Sequence, residues 1–342
     1  MAEVETEANY GHFNRHRRQQ MAHELIAHQD VGENFSGVYY VESAYIKKTV
    51  QNKDYMDMTL RDRSGSRPVK FWGTVKDVVK GCFVHVAAAV EDYQGNPSII
   101  ARNVELEDEP DDLSDYIPVY EGAAELADEF DALRAKLVEL EDDDNDTCSM
   151  LVDEVYRSAP FFDKFVRCPG SDGSCYGKTG GLLASVVRVG RHALEASSFY
   201  SASDQERAII LGAALLCRIG GADAYDFENC VPVVTKRGLL IGVPNLTMTR
   251  VSSALRRVVA AANKDDKVTD QDTILRLLHA IVAANETCGV EPMTKEAMVL
   301  SGVVKMDGEV VDSLDFIAND VNDSEEFTAF DPRTRRNYYR GS

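Results

Sequence analysis

The sequence predicts an α+β protein with two main parts, a small closed β-barrel followed by an all-α region. Short segments rich in Val, Ile, Tyr and Thr, separated by turn signals, fill residues 35–104, and from Thr147 onward apolar residues recur every three or four positions. The 342 residues, 44% of them apolar, exclude a wholly disordered chain and favour two domains over one. We therefore divide the chain into an N-terminal helical extension (1–32), a barrel (33–104), an acidic linker with a connecting helix (105–147) and a helical domain (148–342).

Five segments of the barrel region have the composition or the alternation of β-strands. They are residues 35–49, 55–61, 69–72, 82–90 and 98–104. Five strands in about 70 residues suit an oligonucleotide/oligosaccharide-binding (OB) barrel.

One face of this barrel is a candidate nucleic-acid-binding surface. Side chains alternate across a strand, so if Met56 and Met58 fill the barrel, then Tyr55 lies outside. Aromatic rings that stack on bases, together with cations that follow phosphates, are what single-strand binding requires. The candidate residues are Lys47, Lys48, Lys53, Tyr55, Arg61, Lys70 and Trp72. Two alternatives stay open at this point: a lone tryptophan in a small barrel often belongs to the core, and loop lysines often only solubilise.

The charge of the chain is concentrated in one stretch. The net charge is −20, yet residues 1–104 hold 13 basic and 13 acidic residues, whereas residues 105–150 hold 18 acidic and 2 basic ones. Such a run is typical of a solvated linker, with docking of a protein partner or autoinhibition as the alternative. Apolar residues at helical spacing within 121–140 predict the connecting helix.

The N-terminus and the cysteines indicate an intracellular protein, for which we expect no cofactor. Met1 to Tyr10 carries three glutamates where a secretion signal would need a basic start, and the chain has no apolar run long enough to span a membrane. Seven scattered cysteines without a C-x-x-C pair argue against a disulfide framework and a structural zinc site. We expect a cytoplasmic location. Residues Asn9 to Gln29 predict a helix carrying His12, His16, His23 and His28, interpreted as a basic solvent-facing helix or a nucleic-acid-touching arm rather than a metal site.

Several motifs fall in the order of a known family. They are Tyr55 to Gly65, Lys70 to Trp72, Gly180 to Leu183, Ala213 to Leu216, Gly238 to Gly242, His279 to Val282 and Pro292 to Ala297. In this order the chain resembles the YhaM family of 3′→5′ exoribonucleases over about residues 33–340, in which an OB barrel precedes an HD-superfamily helical domain. The resemblance implies that fold here.

The resemblance also implies a metal centre, because HD hydrolases use metal ions to make hydroxide from water. The residues at the implied ligand positions are Cys175, Tyr176, Cys217, Arg218, Val243, Ala284, Asn285 and Val304. None is a His or an acid, and Arg218 would repel a cation. We therefore expect a pseudoenzyme without metal or catalytic residues. Its vacated cleft is either a filled structural relic or an anion site formed by Arg218 with groups such as Lys178.

The leading hypothesis is a non-catalytic protein that binds single-stranded nucleic acid, with RNA favoured over single-stranded DNA. The helical domain then serves as scaffold, second contact surface or homo-oligomerisation module, and no membrane is involved. The alternatives are an acidic assembly subunit that contacts a protein partner through the barrel or through segment 105–150, and a residual metal-dependent 3′→5′ exoribonuclease. Loss of catalytic ligands within a retained frame also suggests a phage origin, with the bacterial host cytoplasm as location.

Overall fold

A computed structural model describes residues 24–93, 96–120, 122–142, 146–173, 175–200, 203–264, 270–320 and 326–341. The chain divides into two compact units, with the boundary between Pro118 and Val119. Among the described residues, none of the helices combines the length and the apolar character that crossing a membrane requires.

The first unit contains a closed five-stranded barrel. Its strands are β1 (Asn34–Lys48), β2 (Asp54–Asp62), β3 (Gly65–Phe71), β4 (Phe83–Tyr93) and β5 (Asn96–Glu107). Their order around the barrel is β1-β2-β3-β5-β4, with β3 and β5 parallel and the other neighbours antiparallel. This Greek-key closure of five strands is that of an OB fold.

The interior of the barrel follows the period-2 pattern of its strands. In β2 the side chains of Met56, Met58 and Leu60 are buried, whereas Tyr55 and the other residues between them face outward and are partly exposed. Alternation across the pleat therefore separates a core face from an outer face along this strand, as its sequence predicts.

The segment before β1 plugs the barrel rather than continuing a helix. Residues Ile26–His28 form one 3-10 turn, and the side chain of Ile26 is fully buried in the barrel core. The N–H of Ile26 donates to the Asp62 carboxylate at 2.7 Å, so it is not engaged in an α-helical bond. A helix reaching Gln29 is therefore wrong for the described part of this segment. His28 is exposed; His12, His16 and His23 lie outside the described residues.

The second unit is mainly helical. Its α-helices are α1 (Ala123–Leu140), α2 (Thr147–Tyr156), α3 (Ala159–Arg167), α4 (Gly181–Tyr200), α5 (Asp204–Leu216), α6 (Gly221–Ala224), α7 (Lys236–Ile241), α8 (Val243–Lys264), α9 (Gln271–Ala283) and α10 (Lys295–Asn319). The central pair is α4 and α5; every residue of α5 from Ala208 to Leu216 is buried.

The expectation of an all-α region is wrong at one place. Strands β6 (Tyr225–Glu228) and β7 (Val231–Val234) form an antiparallel hairpin. Its two turn residues, Asn229 and Cys230, have φ values of 45° and 65°. Positive φ at both positions gives a tight two-residue hairpin turn, which a helix cannot contain.

Helix α1 belongs to the helical unit and is not a solvated connector. Its apolar residues form one stripe that is buried in the helical core, and Phe130 packs against the rings of Tyr156 and Phe165. Four acidic side chains of this helix are exposed: Glu125, Asp128, Asp131 and Glu139. A helix that buries such a stripe is held by tertiary packing, whatever the charge of its outer face.

Candidate functional site

The candidate site is the outer surface of β1, β2 and β3, which we call the barrel face. The strand register sets its centre: Asp57 of β2 lies opposite Tyr45 of β1 and Lys70 of β3. Two residues away along each strand, Tyr55 of β2 lies opposite Lys47 of β1. Directly opposite residues on a shared face have Cβ atoms about 4.5–5.5 Å apart, so these side chains are neighbours. The barrel face consists of Tyr45, Lys47, Tyr55, Asp57, Lys70 and Trp72.

Two aromatic side chains, Trp72 and the partly exposed Tyr55, form a pair on the barrel face. Trp72, directly after β3, is 59% exposed, which places it outside the core. Its ring centroid lies 5.2 Å from that of Tyr55, with 44° between the ring planes. Tyr45 adds a third ring that is 62% exposed. Tyr45 is not among the residues predicted from the sequence, although it is in phase with Lys47 on the same strand.

Three of the predicted cations are bound to carboxylates of the barrel itself. Lys47 forms an ion pair with Asp57, and Lys48 lies 3.8 Å from Asp54. Arg61 pairs with Glu42. These pairs reduce the positive charge that a phosphate would meet, because each cation already has an opposite charge beside it.

Arg61 is also distant from the aromatic pair. It lies six residues from Tyr55 along β2, about 20 Å at the rise of a strand. Its side chain is largely buried, and its Nε donates to the Ser66 hydroxyl at 3.0 Å. The structure therefore does not bring Arg61 together with the rings of the barrel face.

Lys53 and Lys70 are the predicted cations for which the described residues offer no ion-pair partner. Lys53 follows the β1–β2 loop, where Val50 is fully exposed. The parallel register ends with the pair Phe71 and Ala101, and each strand is followed directly by a residue that is exposed, Trp72 after Phe71 and Arg102 after Ala101. Arg102 was missed because a parallel pairing between β3 and β5 has no local signal in the sequence.

A second arrangement lies in the helical unit, around the buried carboxylate of Asp307 in α10. The Tyr176 hydroxyl donates to this carboxylate at 3.0 and 3.1 Å. Arg188 Nε donates to Oδ1 at 3.2 Å, and Arg218 Nη1 donates to Oδ2 at 2.8 Å. We call Tyr176, Arg188, Arg218 and Asp307 the Asp307 cluster.

The residues around the Asp307 cluster do not fit the metal ion that the resemblance implies. Both carboxylate oxygens of Asp307 already accept hydrogen bonds, two of them from guanidinium groups. Burial raises the pKa of the Cys217 thiol to about 11 and, with Asp315 adding to it, that of Cys175 to about 11. A metal ion would have to displace the proton of either thiol before the sulfur could bind it. In the part of the chain that the structure describes, no group of three or more His, Cys, Asp or Glu side chains is arranged to hold a metal.

The eight residues at the implied ligand positions are only partly brought together. Tyr176 and Arg218 meet at Asp307, and Cys175 and Cys217 are next to them in the chain. Asn285 instead accepts from the Thr287 hydroxyl at 2.7 Å.

The remaining three positions have packing roles, and the key acid was missed. Val243 begins α8, Ala284 is buried after α9, and Val304 packs against the helical core. Asp307 lies one turn after Val304, where the resemblance placed a metal-binding aspartate. One turn brings a helical residue back to nearly the same face. A carboxylate is therefore present near the implied position, but its oxygens already accept hydrogen bonds from two arginines.

Comparisons with known proteins find similarity among solved structures. No protein-family model matches the chain, and no curated protein matches it. Solved structures that resemble it include the second OB-fold domain of replication protein A from Methanococcus maripaludis, with 18% identity and a TM-score of 0.22 over 26% of this chain and 99% of that domain. The strand order and parallel closure of the barrel identify its OB fold.

Proposed function

We propose that this protein is a non-catalytic single-stranded nucleic-acid-binding protein that uses the barrel face, with RNA favoured over single-stranded DNA. The observation that carries the proposal is the ring pair of the partly exposed Tyr55 and the exposed Trp72, with the exposed Tyr45 beside it, on a face that OB folds use for oligonucleotides. Stacking of bases on such rings contributes about 1–3 kcal/mol per base, judged by alanine substitution. The preference for RNA comes from the resemblance to an exoribonuclease family.

The charges of the barrel face support stacking, rather than phosphate binding, as the main source of affinity. Lys53 and Lys70 are the two predicted cations without an ion-pair partner among the described residues. Neutralising two phosphates of a single strand gives a salt slope of about −1.4, which is small for a nucleic-acid-binding protein. Duplexes hide their base faces, so they are expected to bind much more weakly than single strands.

Fluorescence anisotropy with labelled single-stranded RNA, single-stranded DNA and duplex tests this proposal. Trp72→Ala should weaken single-strand binding about 5- to 150-fold. Phe199→Ala, which removes an exposed ring from the helical unit, should leave it unchanged. Absence of binding by the wild-type protein at low salt would exclude the proposal.

A second pair of variants tests the cationic part. Lys70→Glu should weaken binding and make the salt slope less steep, because one phosphate contact is lost. Lys80→Glu makes the same charge change at an exposed barrel position outside the barrel face and is the matched control. Equal effects of the two variants would show that only the overall charge of the barrel matters.

The non-catalytic part of the proposal is supported by the Asp307 cluster. The guanidinium groups of Arg218 and Arg188 donate to the Asp307 carboxylate, which a metal ion would need as a ligand. We expect that this arrangement does not form a water-activating metal centre. A ribonuclease assay with manganese, with a chelator control and elemental analysis of the purified protein, tests it. Shortening of an RNA from its 3′ end, abolished by the chelator, would refute it.

A protein partner at the barrel is the second candidate function, favoured by exposed aliphatic side chains. Ile46 and Val50 lie at the β1–β2 end of the barrel and are exposed without a ring to stack on bases. A complex that survives nuclease digestion and is lost in Val50→Asp, while RNA affinity is unchanged, would favour this candidate.

A further inference from the structure

A carboxylate occupies the centre of the barrel face. Asp57 lies between Tyr45 and Lys70 on the neighbouring strands and between Tyr55 and Thr59 on its own. Its side chain remains 23% exposed. A carboxylate repels phosphate, so its position among the rings is unsuited to binding the backbone of a nucleic acid. A ligand group that donates hydrogen bonds would suit this position better than a phosphate does.

One oxygen of this carboxylate is available to a ligand. Lys47 pairs with Oδ2 of Asp57. Oδ1 accepts no hydrogen bond from any residue in the described ranges, and Lys70, although directly opposite, forms no ion pair with it. An ionised carboxylate can only accept hydrogen bonds, so Oδ1 offers an acceptor and no donor.

A base stacked on the aromatic pair would lie beside this acceptor. Tyr55 is two residues from Asp57 on the same face of β2, about 6.6–6.8 Å along the strand. At this spacing we expect the edge of a base stacked on Tyr55 and Trp72 to reach the carboxylate. Cytosine and adenine present an amino group on their Watson–Crick edge, and guanine presents amino and imino donors. Uracil and thymine instead present carbonyl oxygens on both sides of a single N–H, and a carboxylate repels these oxygens.

We infer that Asp57 makes the barrel face select bases that carry an amino group, so that cytosine, adenine and guanine bind more tightly than uracil or thymine. This inference rests on the proposed function, because it concerns the specificity of the same surface. Lys47 is a positioning residue, because its ion pair engages Oδ2 of Asp57 and leaves Oδ1 available to the base.

Oligo(C) and oligo(U) of equal length test the inference most directly, because they share the sugar, the charge and the ring size. In fluorescence anisotropy with the full chain, oligo(C) should bind about fivefold or more tightly than oligo(U). In Asp57→Asn the ratio should fall towards one, since an amide can donate to a carbonyl as well as accept from an amine. Asp57→Ser, which removes the charge with a smaller side chain, should give the same loss of preference.

Asp54→Asn is the matched control. Asp54 is on the same strand and lies 3.8 Å from a lysine, Lys48, but it precedes the aromatic pair. This variant should keep the preference for oligo(C), even if its affinity for both oligonucleotides rises through the loss of a negative charge.

Two outcomes would overturn the inference and leave the proposed function intact. The wild-type protein would bind oligo(C) and oligo(U) equally, or Asp57→Asn would strengthen binding to both by the same factor, as expected if Asp57 only neutralises Lys47. Failure of every single-stranded oligonucleotide to bind would instead refute the proposed function.

Discussion

Replacing Asp307 with asparagine should destabilise the helical unit by about 2–4 kcal/mol. The Asp307 side chain has no solvent exposure, and it accepts hydrogen bonds from Tyr176, Arg188 and Arg218. Breaking a buried ion pair by removing one partner costs about 3–5 kcal/mol, because the other charge remains without compensation. The side chains of Arg218 and Arg188 are 21% and 33% exposed, so water recovers part of this loss.

Urea unfolding followed by far-UV circular dichroism measures the effect, since helices dominate that signal. With a slope of about 1–3 kcal/mol per molar urea, a loss of about 3 kcal/mol lowers the midpoint by about 1–3 M. Glu309→Gln, at an exposed position two residues further along α10, is the control and should leave the midpoint unchanged. The double variant Asp307→Leu with Arg218→Met removes a carboxylate and one of its cations together, and it should recover part of the loss.

A midpoint that Asp307→Asn lowers no further than Glu309→Gln does would refute this prediction. That result would mean that the guanidinium groups of Arg188 and Arg218 find equivalent partners in water. The Asp307 cluster would then contribute nothing specific to the stability of the helical unit.

Three further predictions concern packing, thiol reactivity and the barrel plug. Gly181→Ala would place a Cβ atom 1.9 Å from the Tyr176 carbonyl oxygen and should lower the thermal midpoint, whereas Gly302→Ala, in open space within a helix, should be neutral or stabilise by about 0.5–1 kcal/mol in the same melt. The pKa of Cys175, raised by burial from 9.0 to about 11, should make its alkylation at pH 8 about a hundredfold slower than that of an ordinary thiol, as measured by mass spectrometry of the labelled peptide, and an ordinary rate would contradict the assigned burial. Asp62→Ala removes the acceptor of the Ile26 N–H, so hydrogen–deuterium exchange in the peptide around Ile26 should accelerate; unchanged protection would show that burial of the Ile26 side chain alone holds the plug.

The strand pattern of the barrel was predictable because it is local. Met56 and Met58 alternate with Tyr55 and Asp57, and this period alone separates the core from the outer face of β2. The exposure of Trp72 could not be decided in the same way. Trp72 follows the last residue of β3, so the direction of its side chain depends on where that strand ends and on which residues pack over it.

The Asp307 cluster could not be predicted, because its members are far apart in the chain. Tyr176 and Asp307 are separated by 131 residues, and only the packing of α10 against α4 and α5 brings them together. The resemblance pointed to Tyr176 and Arg218 but placed the acid one helical turn too early. The apolar stripe of α1 was predictable from its helical spacing, but the acidic composition of segment 105–147 favoured a solvated linker over packing of this helix in the helical core.

The exposed ring of Trp72 has a practical consequence for every experiment on the barrel. The chain contains one tryptophan, so its ultraviolet-excited emission arises from a single indole, and that indole lies at the surface to which a base would attach. Nucleobases that stack on an indole quench its emission. Binding of an unlabelled oligonucleotide to the barrel face can therefore be followed as a loss of intrinsic tryptophan fluorescence, without attaching a dye to either molecule.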